Sequence, residues 1–405
     1  MMNNKFKLTK KSKIYLLITS IILLLIIILI LIVILKNKPD SIKESPFLFE
    51  NVELEVFDKK YLTELINRSD IEILEEKVIN TEEIGKQELN FIFMYEEEKY
   101  RGHIVINIVD LVPPTILASS TYTVTIGSTK DLINSIICGD NYDNKPERKI
   151  IGDYDFNQEG TYNLTYYAKD SSGNESTKDF KLKVVPKTTS TTTTTTKTTS
   201  FTSIIEQYKN DNTEIGIDVS KWQGTIDFEK VKEAGCEFVI IRLGHQKGID
   251  GELILDPYYQ ENIEKATQAN LKVGVYLYTY AKSREDALTQ AQWVIENIGP
   301  YELELGVSYD WESWTLFNEL DLSFYNFNKV ANTFFTTIEK AGYNSMLYSS
   351  KYYLENIWTS ENKDIWLAHY TSKTDYQGSY KLWQMTSNGR IDGINGAVDI
   401  NILYK

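Results

Sequence analysis

The chain has 405 residues, enough for two or three domains of ~100–200 residues each. Its 57 acidic against 43 basic residues give a net charge of −14, which repels a polyphosphate backbone and excludes a nucleic-acid partner. Two cysteines and three histidines, with no HExxH, exclude a disulfide scaffold and leave neither a metal site nor a cofactor to expect.

Residues 14–35 read IYLLITSIILLLIIILILIVIL, twenty-two positions without a charge. As a helix they would rise ~33 Å, enough to cross a ~30 Å hydrocarbon core. Lys5, Lys7, Lys10, Lys11 and Lys13 precede the run, against Lys36 and Lys38 after it. The positive-inside rule then gives a cytoplasmic tail (1–13), a single transmembrane helix (14–35) contacting the lipid bilayer, and everything later outside. A cleaved signal peptide would have a shorter apolar core and a small-residue cleavage site. On this reading Cys138 and Cys236 lie outside the cell in separate domains, as free buried thiols.

Two segments of β character follow. Residues 78–110 and 152–185 share an order of acidic approach, turn glycine (Gly85, Gly160), alternating strand, polar turn and final strand. Residues 162–167 and 180–184 alternate with period two, around the turn signal DSSGN at 170–174. Residues 187–203 are a threonine-rich stretch with almost nothing apolar to bury, expected as an extended linker.

All seven tryptophans lie beyond that stretch. Predicted strands at 215–220, 238–243, 272–280, 305–312 and 345–349 alternate with predicted helices. Asp227 and Ser283 are N-cap candidates, and Asp256-Pro257 is the expected opening of a helix. Three further strands, 365–370, 382–386 and 398–403, follow with short connections. Alternation of this kind implies parallel strands, and eight of them imply a closed barrel, abbreviated because too little chain remains for a full (β/α)₈ ring. Chemistry in such barrels sits at the C-terminal strand ends. There lie Asp218, the pair Asp310 and Glu312 around Trp311, and Asp399. Residues i and i+2 of a strand share a face, so Asp310 and Glu312 are expected in the mouth with Trp311 toward the helices. Crowded carboxylates cannot all ionise freely, which raises the pKa of an acid.

These residues resemble glycoside hydrolase family 25, the Chalaropsis-type lysozymes. The matching motifs are GIDVSKWQG (216–224), FVIIRLG (238–244), GVYLY (274–278), DWE (310–312), AGYNSMLYS (341–349), WLAHY (366–370), WQMTS (383–387) and VDIN (398–401). They cover nearly all of residues 214–405. The resemblance implies a TIM-like barrel of five βα units and three strands over residues 204–405. It also implies cleavage between N-acetylmuramic acid and N-acetylglucosamine in peptidoglycan. Carried over by position, Glu312 is the general acid and Asp310 its partner in substrate-assisted catalysis, with Asp218 and Asp399 as the other acidic positions. Tyr276, Tyr278, Tyr348, Trp383 and Arg242 are candidates for substrate binding. Trp311 and His245 depart from the family pattern at the cleft rim.

Upstream, residues 112–186 resemble a bacterial immunoglobulin-like domain through Pro113-Pro114 and GTYNLTYYAKDSSGN, and residues 45–111 resemble a diverged copy. Both are expected as β sandwiches that space the barrel from a bacterial cell membrane. The chain is thus expected to be a multidomain, membrane-anchored muramidase whose partner is peptidoglycan. Its rivals are a non-catalytic wall-binding protein and a chitinase-like glycosidase. The chitinase pattern D-x-x-D-x-D-x-E is absent, since residues 306–312 read GVSYDWE.

Overall fold

The computed structural model describes residues 9–36, 42–187, 198–359 and 363–405, which form two compact units, Met1–Asp110 and Leu111–Lys405. In the first, Lys10–Lys36 is one helix, and its Lys10–Ile30 segment is long and apolar enough to cross a membrane. Lys5, Lys7 and Lys38, on which the predicted orientation partly rests, lie outside the described residues.

The rest of that unit is built on a hairpin of Gly85–Tyr95 and Glu98–Val109. Its two-residue turn, Glu96-Glu97, holds both residues at positive φ, the twist that matches antiparallel strands. Lys43–Glu44 and Val52–Glu55 add parallel to one hairpin strand, and Glu72–Ile73 antiparallel to the other. Phe91, Phe93, Ile104, Ile106 and Ile108 are buried with period two. Phe49 covers them edge-on, 5.0 Å from Phe91 and 5.6 Å from Phe93. The expected two-sheet sandwich is therefore not found here. Among the described residues this unit has one sheet, faced by aromatic side chains instead of a second sheet.

The second unit begins with a four-stranded sheet and a two-stranded one, which share a core including Leu164, Tyr166, Phe180 and Leu182. The DSSGN turn forms as expected, with Asp170 Oδ1 accepting from Asn174 N at 2.8 Å. This β region does not stand clear of the barrel as a spacer. Asn318 of the barrel binds three of its backbone groups, and Leu117 and Ile137 enter the barrel's own core cluster.

The barrel strands are β1 Thr213–Val219, β2 Phe238–Gln246, β3 Lys272–Tyr278, β4 Val307–Asp310, β5 Ser345–Ser350, β6 Asp364–Ala368, β7 Leu382–Arg390 and β8 Val398–Tyr404. Helices α1 Phe228–Glu233, α2 Tyr259–Gln268, α3 Arg284–Asn297, α4 Phe324–Lys340 and α5 Lys351–Asn356 follow the first five strands, giving the five βα units of the sequence reading. Asp227 and Ser283 cap as predicted, accepting from Lys230 N and Asp286 N. Strands β1 to β7 pair parallel, but β8 runs antiparallel to both β7 and β1 and closes the ring. That corrects the expected all-parallel, TIM-like barrel. A parallel return needs a long crossover, and only seven residues separate β7 from β8.

The threonine-rich stretch also needs correction. Residues 188–197 lie outside the described residues, but Thr199–Ser200 pairs with β7 and Phe201–Tyr208 is a helix. Phe201 is 1% exposed and Ile204 3%, both within the barrel core. The barrel therefore starts before residue 204. Phe201→Ala should lower stability by ~3–5 kcal/mol, the usual range for a buried phenylalanine. Chemical denaturation reads this directly, and a loss below ~1 kcal/mol would detach the segment from the fold.

Candidate active site

Alternation along each strand decides what lines the mouth. On β2, Phe238 and Ile240 point inward into a small cluster with Met346, Tyr348, Trp366 and Leu382. Val239, Ile241 and Leu243 point out to the helices. The next inward position after Ile240 is Arg242, and the same step on other strands brings Asp218, Tyr276, Tyr278, Asp310 and Gln384 to the C-terminal ends. Strand β8 runs the other way, so its beginning enters the mouth, with Asp399 opposite Asp218 and Asn401 opposite Gln384.

Asp218 is the best satisfied of the acids. Its Oδ2 accepts from Asn401 Nδ2 at 2.7 Å and Gln384 Nε2 at 2.9 Å. The donors are oriented in turn: Trp366 Nε1 donates to Asn401 Oδ1 at 2.8 Å, and Tyr348 and Tyr370 hydroxyls donate to Gln384 Oε1 at 2.9 and 3.0 Å. Burial raises the Asp218 pKa to about 6 against the pull of its two amide donors. Asp399 is pushed up to about 8, by burial first and then by the charges of Asp218 and Glu312.

Asp310 is buried at the last position of β4, and its Oδ1 has no hydrogen-bond partner among the described residues. Burial, then Glu312 and then Asp218 raise its pKa well above the usual carboxylate range, while the Arg242 guanidinium pulls it back. Glu312 lies beyond the end of β4, not on it as expected, and is exposed to the mouth. The walls around it still displace enough water to raise its pKa, with the Asp218 charge adding to the effect. A hydrogen bond from Tyr348 opposes that rise, but one hydroxyl hydrogen cannot serve Glu312 and Gln384 together. Trp311 faces the helices as predicted, fully buried and edge-on to Phe327 of α4 at 4.8 Å.

The predicted binding residues divide. Tyr348 packs edge-on to Trp366 at 4.7 Å, and Tyr276 does so at 6.0 Å, both within the mouth. Tyr278 stands 3.5 Å from Ser313 Oγ. Arg242 is held by Asp256, through Nε at 2.8 Å and an Nη at 2.6 Å. Asp256 does not open helix α2, which begins at Tyr259; it also accepts from Lys221 N and Tyr258 N. Trp383 is no sugar platform. It is 2% exposed, faces away from Gln384, and donates its indole N–H to His369 O. A cleft of ≈ 490 Å³ opens beside the acids, lined by Glu312, Tyr348, Lys351, Tyr352, His369 and Tyr370.

Sequence reasoning missed Gln384, Asn401 and Asp256 as site residues. Asn401 was two positions from Asp399 on one strand and Gln384 next to Trp383, so the period-two signal was present for both.

The arrangement can donate a proton from a raised carboxyl at an open face and place further carboxyls beneath the reacting atoms. The model of glycosyl hydrolases family 25 matches residues 217–394. The chain is 28% identical over 192 residues to the uncharacterized protein YegX of Escherichia coli (strain K12), covering 46% of this chain and 68% of that one. It is 30% identical over 190 residues to the autolytic lysozyme of Clostridium acetobutylicum, covering 46% of this chain and 54% of that protein. The solved family 25 glycosyl hydrolase of Bacillus anthracis is 22% identical, with a TM-score of 0.42 over 49% of this chain and 93% of its own.

Burial and the charges of Asp218 and Glu312 leave Asp399 far above its ordinary pKa. A carboxyl raised on folding binds protons in the folded state that the unfolded chain has released. Its contribution to stability is therefore whole below about pH 4 and declines as the pH rises to about 8. Asp399→Asn removes the penalty, so it should stabilise the protein by roughly 1–3 kcal/mol at about pH 8 and hardly at all at about pH 4. Urea unfolding at the two pH values tests this; equal effects at both would refute the raised pKa.

Proposed function

We propose that the chain, whose residues 217–394 match the model of glycosyl hydrolases family 25, is a glycoside hydrolase of the lysozyme type and a membrane-anchored peptidoglycan muramidase. Its substrate bond joins N-acetylmuramic acid to N-acetylglucosamine. The observation that carries the reading is the convergence of Asp218, Asp310, Glu312 and Asp399 on one barrel mouth, where burial raises every carboxyl and neighbouring charges raise Asp310, Glu312 and Asp399 further. The unpartnered Asp310 Oδ1 supports a ligand at that point, since buried polar atoms in folded proteins are otherwise satisfied.

In this mechanism Glu312, its pKa raised by burial and by the Asp218 charge, gives its proton to the leaving glycosidic oxygen. The substrate's N-acetyl oxygen attacks the anomeric carbon, and Asp310 supports the positive charge that develops on the acetamido group. Asp310 resists ionisation in its crowded site, so the Arg242 cation is needed to make that role available. Asp218, fixed by Asn401 and Gln384, holds the floor of the site and helps to keep Glu312 and Asp399 protonated. Water then enters from the open side, with Glu312 now acting as base.

The helix over residues 14–35 is read as a single span with a cytoplasmic N-terminus and an extracellular barrel, supported by its length, its composition and the preceding lysines. Anchoring suits an enzyme acting on nearby wall polymer.

Digestion of purified peptidoglycan beside chitin, with mass spectrometry of the reducing ends, tests the substrate. Muramic acid ends are expected, and glucosamine ends would replace the reading. Glu312→Gln should lower kcat by ~10²–10⁴, the usual contribution of a positioned proton donor. A muramyl glycoside with a dinitrophenol leaving group should partly rescue Glu312→Gln but not Asp310→Asn. Rescue of the second variant alone would exchange the two roles.

A further inference from the structure

Glu312 is carried by the long connection from β4 to α4, and that connection is fastened from outside the barrel. On the barrel side, Trp314 N donates to Glu312 O at 2.8 Å, and the Trp314 ring stacks on Tyr353 at 3.9 Å. A short 3₁₀ turn, Trp314–Glu319, then brings Asn318 against the β region. Its amide is used at both ends: Oδ1 accepts from Cys138 N at 2.9 Å, while Nδ2 donates to Ile136 O at 2.7 Å and Asn134 O at 3.2 Å.

The start of α4 is held by the same loop. A helix leaves its first amide hydrogens without internal partners, and here the β region supplies acceptors. Ser323 N donates to Asn144 Oδ1 at 2.8 Å, Phe324 N to Asp140 O at 2.7 Å, and Asn326 Nδ2 to Asn144 Oδ1 at 3.1 Å. Phe317 and Phe324 close over Gly139, where a Cβ would lie 2.5 Å from Phe324 Cε1 and 2.9 Å from Phe317 Cε1. Only glycine allows this approach. The acid-bearing connection is thus fixed to residues 134–144 at Asn318, six residues after Glu312, and again at the start of α4.

We propose that the β region is part of the catalytic unit, and that Asn318, through residues 134–144, is a positioning residue for the Glu312 carboxyl. The proposal rests on the reading of Glu312 as proton donor and adds to it a function for the upstream region, beyond spacing. Proton donation needs the donor within hydrogen-bond reach of the leaving oxygen, so a small displacement of the connection costs turnover more than binding. The Asp310 carboxyl is fixed independently, by its place on β4.

The test uses the full chain in detergent, with Asn318→Ala on the barrel side and Gly139→Ala on the β-region side. On purified peptidoglycan both variants should lose kcat by roughly ten- to a hundredfold with KM nearly unchanged. On the muramyl glycoside with a dinitrophenol leaving group, which does not need the acid, the loss should be no more than about threefold. If one variant fails to fold, the other decides, since each breaks the clasp from a different side. Equal losses on both substrates, or wild-type kcat in a folded variant, would overturn the proposal while leaving the muramidase reading in place. A wild-type chain inactive on peptidoglycan would remove the proposal together with the reading beneath it.

Discussion

The direction of β8 is the constraint on which the site depends. Because it runs against β1 and β7, the ring closes with the beginning of β8 in the mouth, where a parallel strand would have brought its end. Asp399 then faces Asp218, and Asn401 reaches Asp218 beside Gln384. A parallel β8 would carry Leu403 and Tyr404 to the mouth instead, leaving Asp218 without one of its two amide donors. Reversal of one strand therefore supplies both the fourth acid and half of the hydrogen bonding of the first.

That closure sets up a competition among the acids for charge and protons in the resting protein. Four carboxyls share a partly enclosed space, and for each the largest influence is burial, which opposes charge. The amide donors lower only Asp218, so the favoured resting arrangement concentrates negative charge there and protons on its neighbours. A carboxyl that keeps its proton above the ordinary carboxylate range is the direct consequence of this crowding and needs no unusual residue type.

Much of this was legible from residue order. The five βα units, the caps at Asp227 and Ser283, the outward Trp311 and the placing of Asp218 and Asp310 follow from periodicity and strand-end placement, whereas Asp399 reaches the mouth only because β8 is reversed. What sequence reading got wrong has physical causes. The all-parallel barrel was inferred from alternation, although the short β7–β8 connection allowed only an antiparallel return. Threonine content hid Phe201 and Ile204, two apolar residues sufficient to dock a helix. Trp383 was chosen for its aromatic ring, while alternation from the inward Leu382 placed Gln384, not Trp383, in the mouth. The clasp around Asn318 had no local signal at all. Its partners are about 180 residues away, and its contacts are to backbone atoms that any sequence supplies.

Arg242 and Asp256 bring the long-range and local constraints together. A buried ion pair survives when its remaining hydrogen bonds are met, and Asp256 meets them with Lys221 N and Tyr258 N as well as the guanidinium. Those two amides come from the loop after β1 and the approach to α2, so one aspartate ties together three parts of the mouth. It also fixes a cation on the same rim as Asp310, where burial and the charges of Glu312 and Asp218 oppose ionisation of that group and the guanidinium pulls the other way. Breaking the pair from either side would leave one charge buried and unmatched, and would at the same time remove or release the charge that makes an ionised Asp310 accessible. Stability of the β2 end and the charge state of Asp310 are therefore one electrostatic arrangement, and neither can be altered alone.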